Sequence, residues 1–387
     1  MNKKYDYIFA GSGLAGLSLL YYIITNPLLQ NKKILVIDKK IKNKNDKTWC
    51  FWEKEQHFYE QLVKTKWSKL KYNSPSYKTI FQLQKYEYKL ISADDYYKFI
   101  IDKALELNIE FRTETILSIT DIENKAVVKT ELETFEANYV FNSTKLFYPK
   151  ITKENTLLQH FTGWYIKTEM DCFDINVATL MDFNLPQKNE IRFMYVLPSQ
   201  PNVALIELTI FGESILKKEE YELELKNYIT HKLKIDSYEI IHHEFGVIPM
   251  TKVKFNSHAQ NNSKIINIGT AGGYTKASTG YTFTFTQKNA LKIANQLAYN
   301  QSPIPKYSFR DKMFRWYDMT LLDILLKKKM SGEEIFTMLF RKNNPERVMA
   351  FLAEESTHWD EFLIRNSVPI VPFITSGIKE LFRKSNH

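Results

Sequence analysis

The chain has 387 residues, 44% of them hydrophobic, and carries 53 Lys and Arg against 44 Asp and Glu, a formal net charge of +9. That length holds two interleaved domains or one large one, with apolar residues enough for a sizeable core. Two cysteines, Cys50 and Cys172, exclude a disulfide framework and point to a reducing compartment, eight scattered histidines offer no metal-ligand spacing, and the basic excess is spread out with no nucleic-acid motif.

Lys3, Lys4 and the apolar residues after them imitate a leader, but Asp6 interrupts the run and a glycine fingerprint explains it better. Residues 5–10, Tyr-Asp-Tyr-Ile-Phe-Ala, suit a buried strand. Gly11-Ser12-Gly13-Leu14-Ala15-Gly16 follows, then an apolar helical run over 17–24 and a second strand, 34–37, ending on Asp38. Strand, GxGxxG, helix, strand and acid are the parts of a dinucleotide-binding unit. Gly11 permits the tight turn, Gly13 lets backbone approach a pyrophosphate, Gly16 lets helix and strand pack closely, and Asp38 can accept from a ribose hydroxyl. The pyrophosphate would lie at the helix N-terminus, where free N–H groups favour anions. The plainer alternative is a glycine-rich turn without a ligand.

Residues 46–90 read as irregular and aromatic. A helix starts near Ser92-Ala93-Asp94-Asp95 and runs to about 107, and strands fit 108–119, 126–130 and 134–141. Such a meander is usual in flavin-type dinucleotide domains. Extended runs at 160–168, 177–183, 191–197 and 203–211 predict an antiparallel sheet, expected as a separate substrate domain, with a polar helix near 217–233. The strand 264–268 returns to the first pattern and leads into Gly269, Gly272, Gly273 and Gly280 before a helix from about 284. This second glycine-rich junction lets backbone approach a flavin and favours FAD over NAD. Residues 305–387 read as helical. The expected architecture is α/β: a Rossmann-type FAD-binding domain from 1–150 and 250–300, an interleaved antiparallel-sheet substrate domain at 151–249, and a helical region at 301–387. No apolar stretch is long enough to span a bilayer, so the expected location is cytoplasmic or peripheral. Segment 309–329 interleaves aromatic and basic residues, which fits either an interfacial helix or one packed on the core.

One strand carries an oddity. Val203, Leu205, Glu207, Thr209 and Phe211 alternate with Ala204, Ile206, Leu208 and Ile210, so both faces are apolar and Glu207 is the lone charge. A buried carboxyl without a partner keeps its proton near neutral pH and can serve as an acid. The alternative is a Glu paired with a buried cation such as Arg192, or one at a strand edge.

Several blocks together resemble the flavin-containing lycopene cyclases of carotenoid synthesis, over most of the chain. They are the N-terminal fingerprint, Lys47-Thr48-Trp49-Cys50-Phe51-Trp52, Gln159-His160-Phe161-Thr162-Gly163-Trp164, Met181-Asp182-Phe183, Tyr195-Val196-Leu197-Pro198, Ile206-Glu207-Leu208-Thr209, Gly246-Val247-Ile248-Pro249-Met250, and Gly269 to Phe283 with Ser278-Thr279-Gly280-Tyr281. The resemblance implies a redox-neutral reaction. An acid protonates a terminal double bond of lycopene, the neighbouring double bond closes a six-membered ring, and proton loss leaves a β-ionone ring. It implies FAD, kept reduced by NAD(P)H, a carotenoid substrate and peripheral contact with membrane lipid. Glu207 matches the family's proposed acid, while Leu208 replaces the acidic residue usual beside it. Phe351-Leu352-Ala353-Glu354-Glu355-Ser356 imitates the plant form of that motif, but it lies out of order, and Glu354 and Glu355 read as helix surface or cap residues. Asn142 stands where related flavoproteins carry Asp and then Gly. Trp49, Phe51, Trp52, Phe161 and Trp164 are candidate pocket aromatics or plain core. The rival functions on the same fold are an FAD-dependent monooxygenase, a polyprenyl reductase and a carotenoid carrier without catalysis.

Overall fold

The computed structural model describes residues 3–40, 45, 47–259 and 263–382. Residues 1–2, 41–44, 46 and 260–262 of the expected flavin unit and 383–387 of the expected helical region lie outside the described residues. β1 (Lys3–Ala10), α1 (Leu14–Ile24) and β2 (Ile34–Asp38) form the opening βαβ unit, with β1 and β2 parallel.

The stretch read as irregular is mostly strand: β3 (Thr48–Glu53), β4 (Thr65–Trp67), β5 (Lys69–Asn73), β6 (Lys78–Gln82) and β7 (Glu87–Ser92). These strands are short, and their pairing is decided by distant partners that no local pattern reveals. β3, β7 and β4 make a small antiparallel sheet. β5 and β6, expected inside the nucleotide-binding unit, join the other large sheet instead. After α2 (Ala93–Glu106), the single strand expected at 108–119 is two. β8 (Glu110–Thr113) pairs parallel with β2, and β9 (Ile116–Ile122) pairs antiparallel with β10 (Lys125–Thr130). β11 (Thr134–Asn142) completes the first sheet, in order β8-β2-β1-β11-β10-β9.

The second sheet is built from β12 (Thr156–Lys167), β13 (Val177–Asp182), β14 (Ile191–Gln200), β15 (Val203–Gly212) and, beyond α3 (Lys218–Asn227), β16 (Glu239–Thr251). Its order is β16-β12-β15-β14-β13-β5-β6. β15 is apolar on both faces, as its sequence predicts. Ala204, Ile206, Leu208 and Ile210 pack with Tyr221 and Leu225 of α3, whereas Leu205 and Phe211 join Trp52, Tyr88 and Tyr195 in the main core.

β17 (Ile265–Asn267) pairs with β11 and returns the chain to the first sheet, and α4 (Phe283–Ala298) lies against α1. Five helices close the molecule: α5 (Phe309–Leu326), α6 (Gly332–Lys342), α7 (Pro345–Leu352), α8 (His358–Ser367) and α9 (Ile370–Leu381). Capping boxes at Ser308, Ser331 and Thr357 start α5, α6 and α8, satisfying backbone donors that would otherwise be orphaned. The 309–329 segment is a packed helix: Phe314, Met319, Leu322, Ile324 and Leu325 are buried, and the Trp316 indole N–H donates to the Gly377 carbonyl at 2.9 Å.

Candidate functional site

The two glycine junctions meet at the N-terminus of α1. Gly11 has φ +104°, and a Cβ there would strike Ser143 Oγ; at Gly16 it would strike the Gly11 carbonyl. Gly13 caps α1 with no side-chain hydrogen bond, and a Cβ placed on it meets nothing within 4 Å. The helix therefore presents uncapped N–H groups to open space, the cradle an anionic group needs. Asp38 steadies the loop: its Oδ2 accepts from the Ser12 N–H at 2.7 Å and the Ser12 hydroxyl at 2.9 Å. Gly269 packs directly on Ala15 Cβ, and Gly272 on the Asn267 carbonyl, so the late junction is seated against the early one. Asn142 is fully buried and donates to Asn267 Oδ1 at 2.8 Å, tying β11 to β17 beneath this floor.

Gly280 sits apart from that cradle. Its φ is +74°, and a Cβ would run into Gln159 of β12. The loop from Gly269 to Tyr281 thus bridges from the α1 terminus to the second sheet. There, four residues stand in one row across the strands. Tyr195 of β14 is opposite Glu207 of β15, Glu207 is opposite Gly163 of β12, and Gly163 is opposite Glu244 of β16. Opposed residues share a face. Gly163 supplies the gap, since a Cβ on it would come within 2.9 Å of Glu244 Cγ and 3.0 Å of Oε1. Two carboxyl groups therefore lean over one glycine.

Their surroundings set their protonation. The Thr209 hydroxyl donates to Glu207 Oε1 at 2.9 Å. Glu207 itself is half-buried. Glu244 is 4% exposed, and neither of its oxygens has a hydrogen bond of good geometry. Burial, and then the Glu244 charge, push the Glu207 carboxyl well above the usual carboxylate range. Burial raises Glu244 as well, opposed by Thr48 and by the proton on Glu207. Like charges so close cannot both ionise, and the pair keeps a proton on Glu207. Arg192, the alternative partner, is occupied elsewhere, by Glu190 at 2.6 Å and Glu224 at 3.5 Å.

Hydroxyls and aromatic faces surround the pair. Alternation along β3 splits the expected aromatics. Thr48, Cys50 and Trp52 turn towards the second sheet, while Trp49 and Phe51 pack on Phe283 at 5.7 and 4.3 Å in the core around α1. Trp164 lies on the far face of β12, beneath α3. Phe161 shares the Gly163 face, with its ring over Gly246. Trp52 meets the Tyr281 ring edge-on at 4.5 Å, Tyr195 and Tyr281 hydroxyls are 3.4 Å apart, and Thr48 and Tyr165 hydroxyls 3.0 Å. Burial pushes Tyr281 up to about 12 and lifts Tyr88, Tyr195 and the Cys50 thiol further, so all stay neutral at physiological pH. Sequence reasoning missed Glu244, Cys50 as a lining group, and the Tyr88–Tyr195–Tyr281 cluster. The available signal for Glu244 was an acid directly after two histidines, His242 and His243, in an extended run. The imitation motif is elsewhere: Glu354 pairs with Lys276 at 2.8 Å, and Glu355 with Lys288 at 2.7 Å and Lys54 at 3.0 Å.

Solved structures share this architecture at low sequence identity. A geranylgeranyl bacteriochlorophyll reductase-like protein from Thermoplasma acidophilum superposes with a TM-score of 0.60 at 13% identity, covering 98% of this chain and 99% of that one. A flavoprotein/dehydrogenase from Cytophaga hutchinsonii gives 0.61 at 12%, with the same coverage, and the flavin-dependent brominase Bmp2 gives 0.55 at 13%, covering 97% and 94%. A comparison with curated protein sequences finds no match. The model of the lycopene cyclase protein family matches residues 6–377, and the chain belongs to that family.

Proposed function

We propose that this protein is a lycopene β-cyclase, closing β-ionone rings at the ends of lycopene by acid catalysis without net oxidation. The observation that carries this reading is the Glu207–Glu244 pair, two carboxyls brought together across Gly163 among hydroxyls and aromatic rings, where burial and the second carboxyl favour the protonated form of Glu207. Glu207 gives its proton to a terminal double bond, and the neighbouring double bond attacks the cation to form the ring. Donation leaves both carboxyls anionic, which is costly in so dry a place, so the pair is primed to take back the proton that the ring loses. Trp52 and the tyrosine rings offer π faces to passing positive charge. The neutral side chains around the pair also exclude water that would trap the cation.

Gly11, Gly13, Gly16 and Asp38 would hold the pyrophosphate and ribose of FAD, and Gly269, Gly272 and Gly280 would bring backbone close to its flavin end. The open space in front of Gly13 and the uncapped α1 fit such a group. Bound and reduced by NAD(P)H, FAD supplies negative charge that stabilises a nearby cation. Because the substrate is a hydrocarbon confined to lipid, the protein works as a cytoplasmic, peripherally membrane-associated enzyme.

The test is reconstitution with FAD under reducing conditions and lycopene in vesicles. The expected products are the cyclic isomers γ- and β-carotene, with no NAD(P)H or O2 consumed per ring. Flavoprotein relatives of redox type favour the second reading, a monooxygenase or polyprenyl reductase. Stoichiometric NAD(P)H consumption with oxygenated or hydrogenated product would establish it and remove the first.

A further inference from the structure

α9 is a short helix with one face unclaimed. Ile370, Val371, Ile374, Ile378 and Leu381, with Phe382 just beyond, are 51–81% exposed. Steps of three, four and seven residues place them on one side. The opposite side docks on α5, where Gly377 lies under Trp316 and Ser376 accepts from Lys329 at 2.6 Å. Twelve residues are too few to cross a bilayer, and no helix among the described residues is long and apolar enough to do so.

Charge identifies what covers this face. The helix has one acid, Glu380, whose side chain is 3% exposed and pairs inward with Lys252. Its one base, Lys379, is 53% exposed. Lys327, at the end of α5, is 41% exposed beside it, and Asp323, which draws Lys252, Lys327, Lys329 and Lys379 together, is 1% exposed. Of these groups the two carboxylates, Glu380 and Asp323, point in, while Lys327 and Lys379 stay exposed. An apolar stripe flanked by exposed lysines matches an anionic lipid surface, where the side chains enter the acyl boundary and the lysines meet headgroups.

α5 also connects this face to the site. Two residues from Trp316, Asp318 accepts from Ser278 at 2.7 Å and from Lys276 at 3.1 Å, in the loop that carries Gly280 and Tyr281. We propose that the exposed side of α9, with Lys327 and Lys379 at its edge, is the surface by which the protein lies on an anionic bilayer. This rests on the substrate class of the proposed function for its purpose but on the helix itself for its chemistry, so it is tested without turnover.

The experiment is co-sedimentation of the FAD-loaded protein with vesicles of phosphatidylcholine alone or with phosphatidylglycerol. Wild type is expected to pellet with the anionic vesicles, less at high salt. Ile374→Ser with Ile378→Ser, both on exposed positions, should weaken partitioning about tenfold or more, given what each buried methylene contributes. Lys327→Gln and Lys379→Gln together should reduce the salt-sensitive part. Leu132→Ser, at a still more exposed apolar residue in the turn between β10 and β11, is the control and should bind as wild type. Retained binding in the double serine variant overturns the proposal, as does no wild-type binding to either vesicle. Size-exclusion chromatography gives a further overturning outcome: a wild-type dimer that the serine variant dissociates would make this face a contact between copies. Loss of vesicle binding with cyclisation intact in detergent supports the surface, while failure of cyclisation with binding intact strikes only the proposed reaction.

Discussion

Glu207 and Glu355 carry the same carboxyl group in opposite surroundings. Glu355 accepts from Tyr86 at 2.8 Å and meets Lys288 and Lys54, and those cations hold it down to about 2. It is a fixed anion and has no proton to give. Glu207 faces another carboxyl and no cation, so it keeps its proton. Glu207→Gln is therefore expected to lower ring formation by about 10²–10⁴-fold or more, with flavin binding intact, because an amide cannot protonate carbon. Glu355→Gln should retain cyclisation; the reverse result in pigment chromatography would assign the acid to Glu355. Glu244 acts through its neighbour. Its charge helps to hold the Glu207 proton, and Glu244→Gln removes that charge, so the Glu207 carboxyl should ionise at lower pH. The rate falls wherever Glu207 ionises, so the alkaline limb of the kcat profile is expected to move to lower pH in this variant. An unmoved limb would make Glu244 merely structural.

At the scale of elements, the glycine turn at the head of α1 was legible and the carboxyl pair only half so. Gly11, Gly13, Gly16 and Asp38 lie within one βαβ unit, where spacing along the chain is spacing in the fold. Gly13→Leu is expected to leave the fold intact, since open space surrounds that position, while abolishing FAD retention; circular dichroism and flavin absorbance after gel filtration would show both. Glu207 stood out because its own strand is otherwise apolar. Glu244 did not, because it reaches Glu207 only through the pairing of β16 with β12 and of β12 with β15. The same non-locality hid the strands between 46 and 90, and it split Trp49 and Phe51 from Trp52 by the alternation of a single strand. Gly163 was quoted only within a family block, yet it makes the pair possible. Gly163→Val is expected to part the two carboxyls and reduce cyclisation much as Glu207→Gln does.

Across the whole molecule, the pair costs stability. A carboxyl raised on folding favours the folded state fully only below its unfolded pKa. That advantage is lost as pH rises through the interval up to its folded value, because the unfolded chain can ionise and the folded one resists. Glu207→Gln escapes this loss. The variant should be more stable than wild type by on the order of 1 kcal/mol at neutral pH, the usual size of such trade-offs, and the gain should shrink in mild acid. Chemical denaturation at the two pH values measures it. An unchanged difference would mean that Glu207 is not held protonated.

β14 and β15 are joined by only Pro201 and Asn202. A strand apolar on both sides hides an acid well, yet that same sameness gives it little to tell inside from outside, for a shift by one place still buries oil against oil. What keeps the count is the brevity of this turn and the fit of Glu207 over Gly163. An inserted residue between Asn202 and Glu207 would turn the carboxyl under α3, where no substrate goes. Lineages of this protein can thus lose their chemistry by a change of length alone, with every reacting group still encoded and the molecule still folded.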